Sequence, residues 1–95
     1  MAAYVMVDIT IHDQEKYAEY IKQSPATVEA FGGRFVVRGG KAEAMEGNWT
    51  PGRFVMLEFD SVERAKEWWS SELYREPKQL RQSASTANMI VVEGV

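Results

Sequence analysis

Apolar and polar positions alternate from Tyr4 to Ile11: Val5, Val7, Ile9 and Ile11 share one side of an extended chain, and Tyr4, Met6, Asp8 and Thr10 the other. A period of two predicts a strand, here with one wholly apolar face. The period then lengthens. Tyr17, Tyr20, Ile21, Val28 and Phe31 recur at helical spacing behind Asp13, a residue suited to cap the free N–H groups of a helix start, with Glu15 in the first turn. Pro25 falls inside this stretch, and a proline neither donates its amide nor favours helical geometry in the residue before it. A kink, or a restart capped by Ser24, is expected there.

Gly32-Gly33 ends the helix and opens the most distinctive block of the chain, Gly32-Gly33-Arg34-Phe35-Val36-Val37-Arg38-Gly39-Gly40. Strand alternation puts Arg34, Val36 and Arg38 on one face and Phe35 and Val37 on the other. The second glycine pair suggests a bulge or kink, after which Lys41 to Glu46 is expected to continue the strand. Gly47 to Gly52 is rich in turn formers and reads as a loop. Arg53 to Phe59 alternates again, with Arg53, Val55, Leu57 and Phe59 together. Asp60-Ser61-Val62-Glu63 has capping-box spacing, and Val62, Ala65, Trp68, Trp69 and Leu73 follow at helical intervals. Pro77 suits the first turn of a second short helix over residues 76–84, and Ala87 to Val92 is a closing strand.

The order β-α-β-β-α-β predicts an α+β fold, ferredoxin-like, with a four-stranded antiparallel sheet and its helices on one face. Ninety-five residues suit one domain spanning 1–95. No register leaves the uncovered sheet face polar, so a partner surface is expected, and a homodimer formed through the sheets is the simplest cover.

A net charge of −3, with a sequence pI near 5.1 and no Lys/Arg run, argues against nucleic acid as a partner. With no cysteine, disulfides, thiolate metal sites and a Cys nucleophile drop out. No apolar stretch approaches the ~20 residues that span a bilayer, and the start of the chain lacks the pattern of a signal peptide. A cytoplasmic protein without membrane contact is expected.

The chain resembles the DUF1330 family of domains of unknown function, within the dimeric α/β-barrel superfamily. The likeness runs through Tyr4-Val5 and Asp8, Tyr17 and Tyr20, Ser24-Pro25, the whole arginine block, Glu46-Gly47 with Trp49, Arg53-Phe54-Val55, Glu58-Phe59, Ala65 with Trp68, Ser71, Tyr74, Leu80-Arg81 and Glu93-Gly94. It implies a homodimer whose two sheets form a barrel. Relatives in the superfamily include cofactor-independent monooxygenases, small isomerases and haem-binding or haem-degrading proteins. In many of them the ligand pocket lies between sheet and helices, and fold alone does not choose among these chemistries.

The candidate residues each have two readings. Arg38 either holds an anion through its planar guanidinium or pairs in the sheet with Glu58 or Asp8, while Arg34 reads as a solvated strand-end charge. Arg81 is a second anion clamp on the family likeness, or else a surface charge. Trp68 and Trp69 point about 100° apart on a helix, so one belongs to the core and the other to a pocket or its mouth. Tyr74 is a hydrogen-bond donor or weak acid beside such a pocket, or a packed ring. Trp49, in the loop, reads as a dimer anchor. His12, the only histidine, is a poor metal ligand by itself and reads as a surface residue rather than a haem ligand or base.

Two functions accommodate these residues. One is a small-molecule enzyme or binding protein for an anionic or aromatic metabolite: Arg38, Arg81, Trp68, Trp69 and Ser24 bind the ligand, Tyr74 or Glu58 transfers a proton, and no metal or cofactor takes part. The other is a non-catalytic dimeric module.

Overall fold

Ala3, Val5, Val7 and Ile9 all turn to the same side of strand β1 (Ala3–Ile11), and all four are buried. The structure, a computed structural model describing residues 1–95, follows β1 with α1 (Gln14–Ala30), β2 (Arg34–Arg38), β3 (Arg53–Phe59), α2 (Val62–Trp69), α3 (Glu72–Ala84) and β4 (Ser85–Glu93). The strands form one antiparallel sheet in the order β2-β3-β1-β4. Val55, Leu57 and Phe59 of β3 join the β1 set, and the helices cover that face with Tyr17, Tyr20, Val28, Ala65, Trp68 and Tyr74. The fold is ferredoxin-like, with the second helical segment divided into α2 and α3.

The helix caps explain most element boundaries. Asp13 caps α1 by accepting from the Lys16 amide. Ser61, rather than Asp60, caps α2, because its hydroxyl accepts from the Arg64 amide at 3.0 Å. Ser71 caps a new helix by accepting from the Tyr74 amide. α3 therefore begins at Glu72, ahead of the expected position 76, Pro77 lies in its interior, and Leu73 faces solvent instead of the core.

The expected break at Ser24 is not formed. α1 runs unbroken through Pro25, and its first consequence is at the Ile21 carbonyl, which the missing proline amide leaves without its intrahelical donor. Arg38 Nη2 fills that vacancy at 2.9 Å. Arg38 reaches the helix because β2 carries a bulge between Phe35 and Val37: Val37 lies opposite Met56, and Arg38 opposite Val55 on the helix-covered face. The bulge thus precedes Gly39-Gly40 instead of coinciding with it, and it separates Arg34 from Arg38, which simple alternation puts on one face.

Residues 41–46 do not extend β2. They are exposed and irregular, with no β-branched residue to pack and with Gly39 at φ +73° turning the chain away from the strand direction. The sheet face opposite the helices remains open. Ile90 is 59% exposed there, and Val36 and Val92 are also exposed beside the partly covered Tyr4, Met6, Phe54 and Met56. No helix is long and apolar enough to cross a membrane.

Candidate functional site

An aromatic column stands between sheet and helices. Trp68 stacks on Tyr74 with ring centroids 4.2 Å apart and meets Phe59 at 5.5 Å. Its indole N–H donates to Thr27 Oγ1 at 3.1 Å, and that hydroxyl donates to the Ser24 carbonyl at 2.7 Å. The Tyr20 and Tyr74 hydroxyls are 2.6 Å apart, and Arg81 Nε donates to Tyr74 at 3.3 Å. Burial, reinforced by the neighbouring Tyr74 hydroxyl, pushes the Tyr20 pKa far above the ordinary tyrosine value. Burial raises Tyr17 as well, against the opposing pull of the Arg53 guanidinium.

The six arginines divide cleanly. Arg34 pairs with Glu58, Arg64 with Glu67 and Arg75 with Glu72. Arg38, Arg53 and Arg81 have no carboxylate partner, and these three line one small cavity, about 30 Å³, together with Tyr17, Tyr20 and Ser24. Arg81 is only 5% exposed. Burial works against its charge, the oxygens of Tyr74, Tyr20 and Tyr17 work for it, and the net direction is upward. Arg53 lies over the Tyr17 ring at 5.7 Å, and its buried Nε has no hydrogen-bond partner. Arg38 rests on the Phe35 ring at 4.5 Å. A buried guanidinium without an anion is costly, and Arg81 is the one of the three that is enclosed, while Arg53 is half-buried and Arg38 is exposed.

A second, larger space adjoins the first. An open cleft of about 630 Å³ runs between α2, α3 and β4, and Trp68, Arg81 and Met89 line both it and the small cavity. Trp69 lines the cleft and is 43% exposed, with Lys78 Nζ 3.7 Å from its ring centroid.

Four of the residues singled out in the sequence, Arg38, Arg81, Trp68 and Ser24, therefore line the inner cavity, and Trp69 lines the cleft beside it. Tyr74 adjoins both through its contacts with Trp68 and Arg81. Glu58 is not among them. It lies on the open face of the sheet, opposite Tyr4, and its partner is Arg34 instead of Arg38. Trp49 sits on that face too: its indole N–H donates to Asp8 Oδ2 at 2.9 Å, Asp8 Oδ1 accepts from the Gly52 amide at 2.8 Å, and its ring meets Phe54 edge-on. His12 is exposed, with Nε2 2.7 Å from Thr86 Oγ1. No group of three or more His, Asp or Glu side chains gathers as a metal site.

Sequence reasoning passed over Arg53, Tyr17 and Tyr20 as site residues. The signal for Arg53 was present: it shares the register of Val55, Leu57 and Phe59, and a charge on an otherwise apolar strand face must meet something in the interior.

Residues 2–95 match the family described as Domain of unknown function (DUF1330). The chain belongs to the DUF1330 family. Its fold is similar to that of the RPA0582 protein of unknown function from Rhodopseudomonas palustris, at a TM-score of 0.80 and 20% identity over 99% of this chain and 82% of that one. It is also similar to a dimeric ferredoxin-like protein of unknown function from Jannaschia sp. CCS1, at 0.73 and 8% identity over 99% and 100% of the two chains. A third similar structure is SnoaB, a cofactor-independent oxygenase from Streptomyces nogalater, at 0.69 and 9% identity over 99% and 93%. At these identities the likeness establishes the fold alone. No curated protein matches the sequence.

Proposed function

We propose that this DUF1330 chain is a homodimeric binding protein or enzyme for a small anionic metabolite, held between its sheet and helices. One observation carries the reading: the three arginines without carboxylate partners are the three that line a single interior cavity. Arg81 is the anchor, being the most deeply buried and already oriented by Tyr74. Arg38 and Arg53 supply further positive charge, and Ser24 lines the same cavity. Tyr74 is the group placed to hydrogen-bond the bound anion or to exchange a proton with it. Glu58, on the far face of the sheet, has no part in this reading.

The homodimer is supported by the open apolar sheet face and by the dimeric assembly of the Jannaschia protein of similar fold. Two sheets packed face to face would cover Met6, Met56 and Ile90 and close a barrel. We place the protein in the cytoplasm, in keeping with a fold that uses no disulfide.

The test is thermal unfolding in the presence of small carboxylates and of their uncharged amides. A ligand that binds only the folded state raises Tm, and the acids are expected to do so while the amides do not. Arg38→Ala, at an exposed position, should reduce the shift without unfolding the protein. Equal shifts from acid and amide, or none from any acid at millimolar concentration, would overturn the reading.

A further inference from the structure

The two spaces meet at Arg81. The inner cavity, about 30 Å³, holds little more than one water molecule, so the bulk of an organic anion must lie elsewhere. The cleft beyond the Arg81–Trp68–Met89 wall, about 630 Å³, has the size of a small-molecule site. No acidic side chain lines it, and its main surfaces are apolar: Ala65 and Trp69 from α2, and Ala87 and Val91 from β4.

Trp69 gives the cleft its shape. Lys78 Nζ lies over the indole ring and also donates to the Trp69 carbonyl oxygen at 2.9 Å, so a half-exposed aromatic side chain is held in place at the rim. This indole lines the cleft from α2 and the short side chains of Ala87 and Val91 line it from β4, an arrangement we read as a slot. Planar rings fill a slot by stacking and lose no internal freedom in doing so, whereas an alkyl chain loses its rotamers there.

We propose that the ligand is a planar aromatic acid of two or three fused rings, its ring system in the α2–β4 cleft against Trp69 and its carboxylate on Arg81. This rests on the anion reading above and assigns that ligand its class and orientation. The arrangement is directional. The charge enters first and the rings seal the cleft behind it.

Calorimetric titration with four compounds tests the assignment: 2-naphthoate, benzoate, decanoate and the uncharged 2-naphthylmethanol. Naphthoate is expected to bind about tenfold or more tightly than each of the others, benzoate lacking apolar area, decanoate planarity and naphthylmethanol the charge. Trp69→Ala, at an exposed rim position, should weaken naphthoate about tenfold and leave benzoate within a factor of about two. Ala87→Phe should fill the slot and remove naphthoate binding, with Tm confirming that the variant is folded. If benzoate equals naphthoate and Trp69→Ala changes neither, the cleft assignment fails while the anion site stands. If decanoate binds tightest, the planar class is wrong. If naphthylmethanol equals naphthoate, the anion reading fails and this assignment with it, and both fail if no acid binds.

Discussion

The two faces of the sheet treat charge in opposite ways. On the open face Arg34 has Glu58, and Asp8 is satisfied by Trp49 and the Gly52 amide, although the surface around them is apolar and exposed. On the helix-covered side Arg38, Arg53 and Arg81 have no carboxylate: Arg38 is exposed and takes the Ile21 carbonyl, whereas Arg81 is buried, where charge is more expensive to leave uncompensated. The contrast lies between an outer apolar face that is exposed and an inner group of cations held without carboxylates.

The contrast is sharpest for tryptophan. Trp68→Ala should cost about 3–5 kcal/mol in denaturant unfolding, because it empties the column between Phe59 and Tyr74 and strands the Thr27 hydroxyl. Trp49→Ala, at a side chain that is 60% exposed, should cost about 1 kcal/mol or less in the same measurement. Equal losses would mean that the open face is as tightly organised as the core. Next in size, Ile90→Lys should weaken the proposed dimer by about 3 kcal/mol, read by sedimentation, while helical circular dichroism stays that of the parent. An unchanged oligomeric state would remove the outer face from the interface.

The interior tyrosines give a pH signature. Tyr17 and Tyr20 have folded-state pKa values raised by burial, so their contribution to stability is whole below the ordinary tyrosine value of about 10 and declines as pH rises past it toward the folded-state value. Unfolding measured between neutral pH and strongly alkaline pH should show stability falling above about pH 10, by roughly 1 kcal/mol per pH unit for Tyr20. Tyr20→Phe should flatten that fall.

Arg38 and Pro25 test the bond between strand and helix. Arg38→Ala should cost about 1 kcal/mol, and far less in a Pro25→Ala background, where the restored amide at position 25 can take the Ile21 carbonyl itself. Coupling near zero in this cycle would mean that the contact contributes nothing in solution. The smallest effect is expected at Arg34: Arg34→Ala should cost about 0.5 kcal/mol or less and less still in high salt, because that guanidinium is largely exposed.

Much of this architecture was legible in the chain because strands and helices have different periods. β1 and β3 were readable to within a residue or two, since Val5, Val7, Ile9, Val55 and Leu57 must share a buried face whatever covers them. Asp13 declared the start of α1 for an equally local reason. The errors came where a local rule met a distant partner. Pro25 looked like a break because its amide is missing, but the vacancy is filled from a strand that the sequence does not place beside it. Val36 and Val37 looked like ordinary alternation, and one extra residue in the ladder sent Arg38 to the face opposite the expected one.

The sequence by itself determined the order of elements, the apolar face of the sheet and the family, because these depend on periods, caps and motifs carried within short stretches. It also carried the arginines, without saying which were paired. Only the tertiary structure decided that Arg34 takes Glu58, that Arg38 crosses to α1, and that Arg38, Arg53 and Arg81 meet around one cavity. Pairing of charges depends on distances between residues far apart in the chain, and those distances exist only after the sheet has set its register.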